Sequence, residues 1–185
     1  MSTRNKRNKF DKKDSLELGQ KAEDRFASIA QKKGWAITEA SKEGNIEDHY
    51  DYEISKDDRH YRVDVKSKKR VSRKTGKVQE ELIWIEFRTV RDTKGWLFGS
   101  ADLIAFEQQN GFKIVERKAL VRVINKLVKI HVKVSKPEDA LYKVYTRKGR
   151  PDEIALIKVS DLDSILWDEW EQQTTPGGRL PDHQT

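Results

Sequence analysis

The stretch His49–Lys69, HYDYEISKDDRHYRVDVKSKK, leaves this chain few options. Tyr50, Tyr52 and Ile54 alternate with Asp51 and Glu53, Lys56-Asp57-Asp58-Arg59 reads as a tight turn, and Tyr61, Val63 and Val65 then alternate with Arg62, Asp64 and Lys66. Side chains repeat every second residue along a strand, so Asp64 and Lys66 share one face, and a hairpin brings Asp51 alongside. Two carboxylates and an ammonium converging at a hairpin end are costly unless something uses them. A divalent cation bound to a phosphate would use all three.

The rest of the chain supports one domain. At 185 residues, with 35% hydrophobic and 37% charged residues, it has a thin core under a heavily charged surface. There is no cysteine, which excludes disulfides, zinc–thiolate sites and iron–sulfur clusters. His49, His60, His131 and His183 show no zinc-ligand spacing. No apolar run reaches the length of a membrane span and the N-terminus carries no apolar signal core, so the expectation is a soluble protein of the cytoplasm with no membrane partner.

The net charge of +7 is unevenly spread. Residues 1–13 hold six Lys/Arg against one Asp, and residues 66–77, KSKKRVSRKTGK, hold seven Lys/Arg and no acid. Charge concentrated in this way is either a solvated tail and loop or the footprint of a polyanion, of which nucleic acid is the common one. Lys68, Lys69, Arg70, Arg73, Lys74 and Lys77 are the candidate contacts in the loop. Tyr145, Arg147, Lys148 and Arg150 form a second basic patch with an aromatic close by, with solvated surface as the other reading.

In chain order, residues 1–13 are expected to be a disordered basic tail, 14–171 the domain, and 172–185 a second disordered tail. Asp14 or Ser15 is a plausible N-cap for a helix that runs to Lys33 and stops at Gly34. Leu18, Ala22, Phe26 and Ile29 form its buried stripe, which puts Glu23 on the flank, either as a surface glutamate or at the border of a cleft. Gly19, one turn earlier, would let another backbone come close. Trp35–Thr38 reads as a strand and residues 39–48 as a loop. Leu82–Phe87 is nearly continuous in apolar character, as in a central strand covered on both faces, with Glu86 its exception. Ala101–Phe106 is a second such strand. Asn110-Gly111 is a hairpin turn before Phe112–Val115. Ala119–Lys129 has helical spacing, Ile154–Val159 is a strand, and Asp161–Trp170 is expected to be a short helix. Trp96, between Gly95 and Gly99, is read as core rather than as a mobile loop aromatic.

A helix carrying Glu23, then Asp51, twelve intervening residues and Asp64-Val65-Lys66 resembles the PD-(D/E)xK nuclease superfamily, and most of all its Holliday-junction-resolvase and phage-type endonuclease branch. The resemblance covers residues 15–107. Tyr50 stands where many members have the proline before the first aspartate, and aspartate at position 64 is within the pattern. The resemblance implies an α/β restriction-endonuclease-like core, a central mixed sheet flanked by helices. It implies Mg²⁺, with Mn²⁺ able to substitute, held by Asp51, Asp64 and the Val65 carbonyl, with Glu23 holding a second metal or aligning its water. In that reading Lys66 orients the attacking water and neutralises developing charge.

The expected activity is a metal-dependent endonuclease on structured or branched DNA, in recombination or in a phage, acting in the host cytoplasm if phage-encoded. A homodimer would supply the two sites that cutting both strands needs. A non-catalytic nucleic-acid-binding protein on a degenerate nuclease fold, or an RNA-directed nuclease, are the alternatives. His49, two residues before Asp51, is either an auxiliary contact or a hydrogen-bonded structural histidine. Glu86 either reaches the site or forms a buried ion pair.

Overall fold

The computed structural model describes residues 7–41, 44–69 and 80–172 of the chain. Its longest element is helix α1 (Arg7–Lys32), which ends where Gly34 adopts a left-handed φ of 79°. The helix starts well before Asp14 and Ser15, the expected cap. Residues 7–18 contain neither glycine nor proline, so nothing in the backbone chemistry halts the helix there. Ala22, Phe26, Ile29 and Ala30 are its buried stripe.

That stripe covers one face of a six-stranded sheet. Its strands are β1 (Ala36–Glu39), β2 (Tyr52–Lys56), β3 (Arg59–Lys66), β5 (Leu103–Gln108), β6 (Gly111–Glu116) and β10 (Leu166–Glu171), in the order β1-β2-β3-β5-β6-β10. β3 and β5 run parallel and the other neighbours antiparallel, so the sheet is mixed. β2 and β3 form the expected hairpin, turning at Asp57, which takes a left-handed φ of 53°. Val63 and Val65 point toward α1, as do Leu103, Ala105, Phe112 and Ile114, in a core closed by Trp35, Tyr52 and Trp170. Phe26 sits at its centre, stacked on Trp170 at 5.2 Å and edge-on to Phe112 at 5.4 Å.

The alternate residues of the same strands, Ile104, Phe106 and Val115, face the opposite way. There they meet helix α2 (Arg117–Leu127) through Leu120 and Ile124, and a second, four-stranded sheet. Its strands are β4 (Leu82–Arg88), β7 (Lys129–Val134), β8 (Lys143–Thr146) and β9 (Glu153–Lys158), in the order β4-β9-β8-β7. The fold is therefore mixed α/β, with central mixed sheets flanked by helices. No helix among the described residues is long and apolar enough to cross a membrane.

Beyond α1, three sequence expectations need correction. Leu82–Phe87 is a strand, but an edge strand of the second sheet, so Glu86 does not lie in a central strand beside β3. Its apolar run arises because Ile85 and Phe87 enter the core between the sheets while Leu82 and Trp84 are only half-buried on the other side. Asp161–Trp170 is not a helix: a helical turn over Val159–Ile165 gives way to β10, which pairs with β6. Tertiary pairing of Trp170 overrides the local preference. Residues 39–48 are not all loop, since Gly44–Asp48 form one wide helical turn.

Two contacts fix α1 and β10 on the sheet. The Arg25 guanidinium donates to the backbone carbonyls of Gln108 (3.1 Å) and Gln109 (2.9 Å) and to Glu107 Oε1 (3.2 Å), so it grips the β5–β6 turn. Gly111 lies so close to β10 that a Cβ there would stand 1.8 Å from the Trp170 carbonyl oxygen. Gly19 has no such neighbour: a Cβ would meet only Glu23 Oε1, at an ordinary 3.7 Å, so the close backbone approach expected there is absent.

Phe26→Ala should lower unfolding stability by about 3–5 kcal/mol, because the ring is fully buried and its partners cannot close the gap. Chemical denaturation followed by tryptophan fluorescence checks this; a loss below about 1 kcal/mol would contradict the packing described.

Candidate active site

The site begins where two strands part. β3 continues to Lys66, paired with β5 through Asp64–Ile104, Val65–Ala105 and Lys66–Phe106. β2 reaches back only to Tyr52, opposite Val63. The Asp51 amide still donates to the Val63 carbonyl at 2.8 Å, and beyond that the chains separate. The Val65 N–H, left without a strand carbonyl, donates instead to Asp51 Oδ2 at 2.7 Å. The carboxylate thus takes the place of one ladder acceptor and is aimed along β3. Its other oxygen, Oδ1, accepts from Asn45 Nδ2 at 2.7 Å. Asn45 belongs to the Gly44–Asp48 turn, which lies against the Tyr50 ring so closely that a Cβ on Gly44 would stand 2.7 Å from the Tyr50 hydroxyl.

Asp64 and Lys66 share the face directed away from α1, as their two-residue spacing requires. Asp64 is 2% exposed. Its Oδ1 pairs with Lys66 Nζ at 2.7 Å, while its buried Oδ2 has no protein partner. The Lys66 ammonium also lies 5.1 Å from the centroid of Trp96, a buried ring of the core between the sheets. Burial pushes the Asp64 carboxyl up to about 8 from 3.8; Lys66 opposes the shift and Asp51 adds to it. Glu23 reaches the same end of the sheet from α1. Its carboxyl is pushed up to about 7, first by burial and then by the negative charge of Asp51, with Lys66 acting the other way. The neighbouring Tyr52 hydroxyl, crowded by burial and by Glu23, is raised to about 12.

Asp51, Asp64 and Lys66 are therefore together, with Glu23 bordering them. Among the described residues no three His, Cys, Asp or Glu side chains converge into a ready cation cage. The donor set nevertheless suits a hard divalent cation: two carboxylates and a backbone carbonyl at Val65 offer oxygen only, and Mg²⁺ commonly takes one or two carboxylates and completes its shell with water and phosphate. The unpartnered Asp64 Oδ2 and the raised Asp64 pKa are what a carboxylate pair prepared for such a charge would exhibit.

The remaining expected residues are more dispersed. His49 has a left-handed φ of 55°, which breaks the strand alternation on which its spacing argument relied, and its Nε2 lies 3.1 Å from the Lys94 carbonyl oxygen. Glu86, Lys66, Lys68 and Lys69 line one cleft of about 270 Å³ between β3 and β4. Lys68 Nζ is paired with Glu80 at 2.5 Å. Arg147 is tied to the buried carboxylate of Asp152, with Nε donating to Oδ2 at 3.0 Å, while Lys148 and Arg150 are exposed. Arg70, Arg73, Lys74 and Lys77 lie outside the described residues. Asn45, Trp96 as the face under Lys66, and Asp152 were not singled out as site residues from the sequence. Only Asn45 carried a signal, a short side chain six residues before Asp51 in a Gly-Asn turn.

No family model matches the chain, and no curated protein matches it. Among solved structures it is similar to a bacterial homing endonuclease, I-Ssp6803I, at 17% identity over 57% of this chain and 70% of that one, with a TM-score of 0.41. At that identity no residue correspondence is carried over.

The raised carboxyls set a pH dependence. A folded-state pKa above the unfolded one means the folded chain keeps a proton that the unfolded chain releases. The resulting stability is complete below the unfolded value, 3.8 for Asp64, and is lost as pH rises to about 8. Glu23 contributes in the same direction between 4.5 and about 7. Without divalent cation, the chain should be distinctly less resistant to urea at about pH 8 than at about pH 5, and Asp64→Asn should flatten that slope. A slope unaltered in the variant would show that Asp64 is not the group responsible.

Proposed function

We propose that this protein is a Mg²⁺-dependent endonuclease that hydrolyses phosphodiester bonds in DNA, with structured or branched DNA as its substrate. The observation that carries the reading is the Asp64 carboxylate, buried, paired with Lys66 at 2.7 Å on one oxygen and unpartnered on the other, beside Asp51. A buried carboxylate with two half-buried charges beside it contributes little to folding and is costly to keep. It matches what phosphoryl chemistry requires at one point in space.

Asp51, Asp64 and the Val65 carbonyl would hold the ion. Bound there, Mg²⁺ supplies Lewis-acid stabilisation of charge on the phosphate and acidifies a coordinated water. The protein's own part is positional. Asp51 is fixed by two hydrogen bonds and needs no reorganisation to act. Lys66, held between Asp64 and the Trp96 ring, presents its ammonium where negative charge grows on the phosphate. Glu23, its pKa near neutrality, can take up or release a proton beside Asp51 at physiological pH. The basic segment 66–77 would follow the backbone of the nucleic acid, a contact whose affinity falls steeply with salt. Two copies would be needed to cut both strands.

Lys66→Ala should reduce Mg²⁺-dependent nicking of DNA about 100-fold or more while leaving DNA affinity within a few-fold of the parent. Gel assays of plasmid, flap, four-way-junction and RNA substrates, with Mg²⁺ and with chelator, measure it. Full cleavage by the variant would remove Lys66 from the chemistry. Salt-sensitive binding with no cleavage by the parent in Mg²⁺ or Mn²⁺ would favour the non-catalytic alternative.

A further inference from the structure

Lys66 belongs to two surroundings at once. On one side it meets Asp64; on the other it forms part of the wall of the cleft of about 270 Å³. That volume lies just under the roughly 300–1,000 Å³ typical of pockets for drug-sized ligands, so it has room for one planar ring system. The walls are suited to a ring. Trp84, Trp96 and Phe106 line the cleft, and Glu86, Lys66 and Lys69 bring polar groups to it. Trp84 is only half-buried although it is a tryptophan on a strand, and it is backed by Tyr145, 6.2 Å away between centroids. Two residues beyond Tyr145, Arg147 is bonded to Asp152, a carboxylate only 2% exposed, which holds that cation at the end of β8.

We propose that this cleft receives one unpaired nucleobase of the strand whose phosphate lies at Lys66, with Trp84 as its stacking surface. The inference rests on the nuclease reading and narrows its substrate class. A nucleotide carries its base one sugar away from its phosphate. A phosphate held by Lys66 against the carboxylate pair therefore has its own base, or the next one, within reach of the cleft. In a paired duplex that base is stacked and must be extruded at a cost of about a few kcal/mol, whereas in a bulge, flap or junction it is already free. The cleft thus selects DNA with an unpaired nucleotide at the cut. Lys66 and Lys69, from β3 and its extension, bring cations to the cleft wall for the phosphates beside such a base.

The test compares binding of two oligonucleotides, a perfect duplex and the same duplex with one unpaired nucleotide, by fluorescence anisotropy in Ca²⁺ so that affinity is read without turnover. The parent should bind the bulged form about tenfold more tightly, Trp84→Ala should reduce that ratio to near one, and Trp84→Phe should keep most of it. Equal affinity of the parent for the two forms would overturn the proposal, and so would a preference that survives Trp84→Ala. The nuclease reading fails separately: a chain that prefers the bulge yet never nicks DNA in Mg²⁺ has the pocket without the chemistry. A chain that nicks duplex and bulge alike after equal binding has the chemistry without the pocket.

Discussion

Everything at the candidate site follows from a single substituted hydrogen bond. Where β2 leaves β3, the Val65 amide would face either water or an unsatisfied interior, and Asp51 Oδ2 takes it. This bond fixes the carboxylate against the strand that carries Asp64 and Lys66. It also explains why the acidic pair lies at a fork rather than mid-sheet. Within a continuous ladder the backbone carbonyl would already occupy that amide, and the aspartate would have no anchor.

The two faces of β3 then divide the labour. Val63 and Val65 are committed to the core beneath α1, while Asp64 turns toward the space between the sheets. The same alternation that makes the strand a good core element thus buries a carboxylate on its other side. The Asp64 environment is low in dielectric, which strengthens its pairing with Lys66 and makes its unpartnered second oxygen costly. The Trp96 face stabilises the lysine from the far side, so the ammonium is held between a charge and a quadrupole.

Much of this was legible in the chain because it depends on local period. The shared face of Asp64 and Lys66, the partner position of Asp51, the buried stripe of α1 and the flanking place of Glu23 all follow from two-residue and 3.6-residue repeats. What was not legible depends on pairing between distant segments. Nothing in LIWIEF says which sheet the strand joins, or that it lies at an edge. Leu166–Trp170 takes strand form because β6 is available beside it. Asn45 acts through a helical turn that exists only because it rests on Tyr50. Period reveals which side of an element is buried; neighbour order and loop shape are decided by the assembled whole.

Arg25 illustrates what that assembly imposes. By gripping two carbonyls of the β5–β6 turn it fixes α1 against sliding along the sheet. A one-residue slip would rotate the helix by about 100° and shift it by about 1.5 Å, carrying Glu23 out of register with Asp51. Glu23, Asp51 and Asp64 are thus carried by a helix, a strand end and a strand that are each tied to the same sheet. Freedom to vary in length or composition is left to exposed turns such as 90–93 and 148–150, whose residues face solvent.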